Sequence, residues 1–554
     1  MAASPRLDVP VSDDRPQARL WPLELGREGA QEEFPLVAIM DRRTFMRRSA
    51  AAGGGLAAMG PLGALSARAA HGAPPSAAEG YGPLVPKGEL LLPAEFNFQV
   101  IDRQGLPQRD GNPTPGIFDA MGAFPDSGAN NGGRGGRTIL IRNHENRRRP
   151  GEIPVTVPPQ FRYDQDPTYI AGCTKLVVSR ERIGKDPATG QALYEYTVQD
   201  KFNIQGGTDV NCAGGEAPFK KWITCEETVN RSPVTGTKHG YNFEVDAMSD
   251  GPIVALPILA AGRFVHEATT FRAGVLYQTE DRRIQTDPVV GQIGSCLYRY
   301  TPDRRVGQSG NLAETTGPLE ALAVKGSPRM NMDNVVTPGA TFPVEWVPVP
   351  DADHDDDSDN RRDRVPGFTP TRIQAIDRGA AFFDRTEGIW ANAQGGGGKI
   401  YFDCTEGGPP GTGGDPRGLG QVWAYDPGRE TLTLIFISRS AEELQNPDNV
   451  TIVPQTQDIF LCEDSPGEQF IRGVTQDGEI YDFARTVTND TEFCGACFDP
   501  DGQTLYVNQQ GERGSASDPG DVAPSAEAVT YAIYGPFEKR EGPNNKNFGN
   551  GSGS

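Results

Sequence analysis

Asp499-Pro500-Asp501-Gly502-Gln503-Thr504-Leu505-Tyr506-Val507 decides the fold. A turn built from Asp, Pro and Gly runs straight into a short apolar strand, the pattern of a tight β-hairpin. Asp426-Pro427-Gly428 repeats the turn ahead of Thr431–Ile437. Outward from these, short apolar runs recur at Thr138–Arg142, Leu193–Val198, Lys221–Cys225, Gly274–Thr279, Lys399–Asp403, Gln421–Asp426 and Asp458–Cys462. Helical periodicity is scarce, and Ala441–Gln445 offers one or two turns at most. Gly (68) and Pro (47) are spread through all 554 residues, which is turn-rich composition. Evenly spaced short strands predict an all-β chain, a β-propeller of six or seven blades with loop insertions. A pair of large β-sandwiches is the alternative. The propeller is expected as one catalytic domain over residues 96–540, with residues 70–95 a flexible leader and 541–554 a flexible tail.

Two insertions are expected, a loop-rich stretch at 301–345 and an acidic one near 351–364. Asp351-Ala352-Asp353-His354-Asp355-Asp356-Asp357-Ser358-Asp359 resembles a calcium loop but lacks the glycine and terminal glutamate of an EF-hand. It is read as a solvated acidic loop.

At the N-terminus, Asp41-Arg42-Arg43-Thr44-Phe45-Met46 has the twin-arginine pattern. A weakly apolar stretch follows, then Ala67-Arg68-Ala69, an A-x-A cleavage site. Residues 40–69 therefore read as a twin-arginine signal peptide, too Gly-rich for a membrane anchor. Met40 directly precedes it, so residues 1–39 are expected to be a mis-called upstream segment. Finding a peptide from 1–39 in the precursor would refute that. The expected partner is the twin-arginine export machinery, and the expected location is periplasmic or extracellular. The mature chain is expected to be a monomer with no membrane attachment.

The net charge of −21 argues against a nucleic-acid partner. An acidic surface also repels phosphate at long range, so a phosphate site here needs local positive charge from metals or Arg. Histidines number 5, too few for a histidine-rich zinc centre. No G-x-S-x-G, Walker or H-E-x-x-H motif occurs. The 8 cysteines are widely spaced, and Cys494 and Cys497, at i and i+3 of a strand, point to opposite faces. Buried free thiols are the plain reading.

What stands out is acid where apolar strands end. Thr224-Cys225-Glu226-Glu227, Phe264-Val265-His266-Glu267, Gln278-Thr279-Glu280-Asp281, Arg385-Thr386-Glu387 and Cys462-Glu463-Asp464 share the pattern, and Glu492-Phe493 opens the last blade. One such carboxylate is ordinarily a surface residue. Repeated in a propeller, they converge on one mouth, where they repel one another unless cations sit between them. Oxygen-rich clusters select hard cations such as calcium, and ferric iron where a softer ligand joins. Asp209-Val210-Asn211-Cys212-Ala213-Gly214-Gly215 supplies a candidate thiolate.

Asn-Cys-Ala-Gly, Thr-Cys-Glu-Glu, Phe-x-His-Glu, Tyr-x-x-Glu-Asp, Arg-x-Glu-Gly, Asn-Pro-Asp-Asn and Glu-Phe-x-Gly-x-x-Phe-x-Pro-Asp-Gly follow one another in this order. As a set they resemble the PhoX-type alkaline phosphatases, over about residues 85–540. Tyr531-Ala532-Ile533-Tyr534-Gly535-Pro536-Phe537 is similar too. The resemblance implies a propeller whose centre holds Fe3+ and Ca2+. It implies Cys212 as an iron ligand and Glu226, Glu227, Glu267, Glu280, Asp281, Glu387 and Glu492 as metal carboxylates. It implies Arg385 as the phosphate-binding cation. Glu145, Asp448, Asn449 and Asp464 are weaker candidates. Ala213-Gly214-Gly215 departs from the family's Ala-Asn-Gly, and Cys494 and Cys497 stand where small or polar residues are usual. The implied activity is hydrolysis of small phosphate esters, monoesters and possibly diesters. The rival readings are a calcium-dependent propeller hydrolase of lactones or organophosphates, and a non-catalytic propeller that metals stabilise.

Overall fold

The hairpin at Asp499–Val507 forms as its sequence requires. Asp499 Oδ1 accepts from the amides of Gln503 and Thr504 (2.8 and 3.0 Å), and Gly502 takes the left-handed φ of 72°. The computed structural model describes residues 80–126, 136–287, 291–307, 310–357, 369–392, 398–410, 417–465, 467–487, 489–511 and 527–540. These are nearly all strand and loop. Among them the α-helix Thr371–Asp377 stands alone.

Apart from two short two-stranded ribbons, Asn230–Arg231 with Lys238–His239 and Gln285–Asp287 with Gly291–Ile293, the described strands group into six antiparallel sets. The first is Phe118–Pro125, Arg137–His144, Ala171–Lys185 and Ala192–Thr208. The second is Asn211–Ala217, Lys221–Glu226 and Asn242–Asp246. The third is His266–Arg272, Val275–Glu280, Tyr298–Tyr300 and Leu319–Val324. The fourth is Thr386–Ala391, Ile400–Cys404, Gln421–Asp426 and Thr431–Ile437. Thr341–Val349 joins the outer strands of the third and fourth into one sheet. The fifth is Pro447–Ile452, Ile459–Glu463, Phe470–Val474 and Ile480–Thr486, extended at its edge by Leu90–Pro93 and Leu84–Pro86. The sixth is Phe493–Phe498, Thr504–Gln509 and Val529–Tyr534, completed by Asn97–Arg103.

The leading strand of each set lies beside that of the next, and the sixth lies beside the first. They run so close that side chains must be small. A Cβ on Gly388 would stand 2.5 Å from the Val450 amide, and one on Gly495 2.5 Å from the Asp119 carbonyl. Apolar side chains pack between neighbouring sets. Trp222 is buried against the first, with its indole nitrogen on Asn143 Oδ1 (2.9 Å).

Several expectations need correcting. The expected leader contains Leu84–Pro86 and Leu90–Pro93, whose leucines are drawn onto the edge of the fifth set. The expected insertion at 301–345 supplies the strand Leu319–Val324 and the start of Thr341–Val349. Ala441–Gln445 forms no helix. The acidic loop, over its described residues 351–357, is not simply solvated. Asp353 pairs with Lys238, Asp355 with Arg231, and Asp357 with Arg231 and Arg263, while His354 is buried on the Arg263 carbonyl. All eight cysteines are buried and free, Cys494 and Cys497 included. The twin-arginine stretch and residues 541–554 lie outside the described residues. Among the described residues no helix is long and apolar enough to cross a membrane.

Candidate metal centre

Each leading strand is paired with the next strand of its set, starting from one residue pair: Phe118 with His144, Asn211 with Glu226, His266 with Glu280, Thr386 with Cys404, Pro447 with Glu463, and Phe493 with Gln509. The residue that follows each member of these pairs matters most. In the leading strands these are Asp119, Cys212, Glu267, Glu387, Asp448 and Cys494. In the second strands they are Glu145, Glu227, Asp281, Thr405, Asp464 and Gln510. The same register, repeated, brings acids from separate parts of the sequence to one place.

A β-bulge makes this possible. The ladder slips at Phe118/Met121, Asn211/Gly214, His266/Thr269, Thr386/Ile389, Pro447/Asn449 and Cys494/Cys497. In the first five sets the slip contains the acid or thiol. An extra residue in one strand bends it and re-aims a side chain that pairing would otherwise direct elsewhere. In four sets the residue two positions earlier holds a left-handed φ: Ile117 (49°), Val210 (51°), Arg385 (56°) and Asn446 (51°). For the β-branched Ile117 and Val210 that backbone is costly, and such strain gathers at functional sites.

The ligand atoms form overlapping groups, each with its atoms within 4.8 Å of one another. These are Glu145, Cys212 and Glu227; Asp119, Glu145 and Glu492; Asp448, Asp464 and Glu492; and Glu267, Glu387 and Asp448. Cys212 Sγ lies 3.2 Å from Glu267 Oε1, which closes the series into a loop. Asn143 donates to the carbonyls of Cys212 and Ala213 (2.8 Å each) and fixes the thiol's strand. The departure at Gly214 has a local reason: a Cβ there would stand 2.1 Å from the Ile223 carbonyl.

Eight carboxylates and a thiol thus share a mostly buried space with few cations. Arg147 pairs with Glu145 and, at 2.5 Å, with Glu227. Arg385 holds Asp281 through Nε (2.8 Å) and Nη2 (3.1 Å) and lies 2.8 Å from Glu387. Gln510 donates to Asp119 and Glu145 (3.1 and 2.8 Å). Burial, then neighbouring acids, pushes Asp119, Glu267, Glu387 and Glu492 well above the usual carboxylate range. Asp448 rises to about 7 and Glu227 to about 8, burial again leading. Burial pushes Asp281 the same way, but its pair with Arg385 prevails and holds it low. Burial first, and then the neighbouring acids, pushes the Cys212 thiol well up too. Groups raised like this lack the positive charge that would hold them ionised. The donor set fits hard cations, with one position softened by sulfur.

Of the residues singled out from sequence, Cys212, Glu227, Glu267, Glu387 and Glu492 stand in these groups, and Asp281 and Arg385 stand at their edge. Glu226 and Glu280 do not. They are the register-paired residues themselves, and successive side chains in a strand face opposite ways. Glu226 accepts from His239 Nδ1 and the Gly240 amide (2.7 Å each), and Glu280 accepts from Tyr298 (2.9 Å) and the Cys296 amide (3.1 Å). Glu226→Ala is therefore expected to cost about 3 kcal/mol of stability, the scale of a buried charged hydrogen-bond network, with metal content unchanged. Glu227→Ala is expected to lose metal instead. Melting curves beside elemental analysis check both, and metal loss from the Glu226 variant would refute this division.

Glu145, Asp448 and Asp464, the weaker candidates, are in the groups. Asn449 acts differently, its Oδ1 accepting from the Gly495 amide (2.7 Å). Asp119 and Arg147 escaped the sequence reading. The signal for Asp119 was a lone carboxylate inside the apolar run Ile117-Phe118-Asp119-Ala120-Met121. Arg385 is already engaged by Asp281 through Nε and Nη2, while among the described residues Nη1 has no hydrogen bond and Glu406 lies 3.9 Å away.

The family model described as alkaline phosphatase PhoX matches residues 79–512. No curated protein matches the chain. Among solved structures, Pseudomonas fluorescens PhoX in complex with vanadate, a transition state analogue, is similar at 16% identity. Its TM-score is 0.55, covering 82% of this chain and 97% of that one. The structure of U3-55K follows at 8% identity and a TM-score of 0.34, covering 80% of this chain and 98% of that one.

Proposed function

We propose, since the chain belongs to the alkaline phosphatase PhoX family, that it hydrolyses phosphate esters at the cluster running from Cys212 to Glu387. The protein is a metal-dependent alkaline phosphatase, and the observation that carries the site is the closed series of mostly buried ligand atoms. We assign ferric iron to the neighbourhood of Cys212, the one soft donor, and calcium to the all-carboxylate groups. The closed order of the leading strands supports reading the six sets as blades of a six-bladed propeller, with this cluster at one mouth.

When bound, the cations supply Lewis-acid stabilisation of the charge that builds on phosphoryl oxygens. The chain's own residues do the rest. Arg385 Nη1 presents a fixed donor to a phosphate oxygen while Asp281 locks the guanidinium. Glu406 gathers Arg283 (2.7 Å) and Arg417 (2.9 Å) nearby. These guanidinium groups and Arg147 are each paired with acids, so the positive charge that a dianion needs at this mouth of a chain of net charge −21 comes chiefly from the bound cations.

Export by the twin-arginine route is part of the same proposal, supported by Arg42-Arg43 and Ala67-Arg68-Ala69. The test takes secreted protein purified without added metal. Iron and calcium are expected on elemental analysis, p-nitrophenyl phosphate turnover at alkaline pH, inhibition by vanadate, and an N-terminus at Ala70. Calcium without iron, together with lactone or triester turnover and none on monoesters, would favour the rival hydrolase. Absence of turnover on every ester would overturn the enzymatic reading.

A further inference from the structure

The residues that carry the ligand atoms are held from behind. One position before the second member of each register pair stand Asn143, Cys225, Thr279, Asp403, Cys462 and Asn508, all fully buried. Three of these six carry an amide or a hydroxyl, and each of the three reaches out of its own set to the next. Asn143, in the first set, donates Nδ2 to the Cys212 carbonyl in the second (2.8 Å). Thr279, in the third, donates its hydroxyl to the Glu387 carbonyl in the fourth. Asn508, in the sixth, donates Nδ2 to the Asp119 carbonyl in the first (2.6 Å). Every acceptor belongs to a residue whose side chain stands in the metal groups.

The bulges explain the need. A bulge leaves a residue outside the ladder, and a buried carbonyl without a partner is costly. The ladder slips over Asp119, Cys212 and Glu387. A side chain from the preceding set supplies a donor to each of their carbonyls.

The polarity of these donors is forced. Asn143 Oδ1 accepts from the Trp222 indole (2.9 Å), which can only donate, so the Asn143 amide nitrogen must face Cys212. Asn508 Oδ1 accepts from the Thr530 hydroxyl (2.6 Å), which itself accepts from Arg142 (2.8 Å). The Thr279 hydroxyl accepts from the Ala268 amide (3.0 Å), and its oxygen lies closer to the Glu387 carbonyl than to that of Ala268 (3.2 Å). Ligand atoms within 4.8 Å of one another tolerate little drift of the strands that carry them.

Taking the cluster as the metal-dependent active site, we propose that Asn143, Thr279 and Asn508 are positioning residues. They fix the backbone of Cys212, Glu387 and Asp119 across the seams between sets, and so set the spacing of the ligand atoms. Partners behind a metal ligand are typically worth about 10- to 100-fold in metal affinity or activity.

The experiment compares wild type with Thr279→Val, which keeps the shape without the donor, and Thr279→Ser, which keeps the donor. Each full-length protein is dialysed against graded free calcium, and bound calcium and p-nitrophenyl phosphate turnover are read below its melting temperature. Thr279→Val is expected to weaken calcium binding about tenfold or more and to lower kcat more than it raises KM. Thr279→Ser should restore both. A lower melting temperature with calcium affinity unchanged would show a merely structural role and overturn the proposal, as would equal losses in the serine variant. Asn508→Leu strips the donor from Asp119 and should weaken calcium binding likewise, which keeps the test decisive should Thr279→Val fold poorly. Wild-type protein that binds no calcium would overturn the metal centre itself, and these roles with it.

Discussion

Stripping cations from the folded protein with a chelator is expected to lower phosphomonoester turnover by at least about a thousandfold. Lewis-acid stabilisation is worth several kcal/mol, and each 1.36 kcal/mol is a factor of ten. The residues left behind offer little in its place. Eight carboxylates then face Arg147 and Arg385 in a mostly buried space. The chelated protein should also become less stable as pH rises, and the sign follows from the direction of the shifts. Asp448 and Glu227, raised to about 7 and about 8 by burial first, favour the protonated form when folded. That contribution is present in full below their unfolded values, near 4, and is lost as pH climbs through 7 and 8. Metal-loaded protein has cations in place of those protons. The gap in melting temperature between loaded and chelated protein should widen from pH 6 to pH 9. Calorimetry at three pH values checks this, and a constant gap would show that these acids do not face one another.

Arg385→Ala is the second large effect. Loss of one fixed charged donor to a developing oxyanion costs about 100- to 1000-fold in kcat/KM. Arg385 also locks Asp281 and lies beside Glu387, so the variant leaves both without their cation. The acid limb of the pH–rate profile should move to higher pH, because Asp281 no longer has the guanidinium that holds it low. Arg385→Lys should recover little, since an ammonium cannot meet Asp281 through two nitrogens while presenting a third. Wild-type turnover in the alanine variant would remove Arg385 from the mechanism.

The sequence made the alternation of strands and turns plain, because hairpin chemistry is local. Asp499-Pro500-Asp501-Gly502 needs only its neighbours to turn. Acid after an apolar strand was legible at Glu227, Asp281 and Asp464 for the same reason. Which of two adjacent acids faces inward was not. Glu226 and Glu227 differ by one position, and only the pairing of Asn211 with Glu226 settles the parity. Asp119 was hidden because a bulge undoes the alternation on which strand reading depends. The edge strands at Leu84 and Leu90 were missed because a Pro/Gly-rich setting reads as leader. Leu90 and Leu91 find their partners almost 400 residues on, at Thr486 and Arg485, and Leu84–Pro86 pairs onto that strand in turn.

That long return has a temporal side. Asn97–Arg103 is the outer strand of the set that ends with Val529–Tyr534. This early strand thus waits for the last described one to leave the ribosome, and contacts so distant along the chain form slowly. Synthesis can supply five of the sets in turn, but the sixth is complete only once Val529–Tyr534 has been made. Cation loading into a complete centre therefore follows the synthesis of Val529–Tyr534.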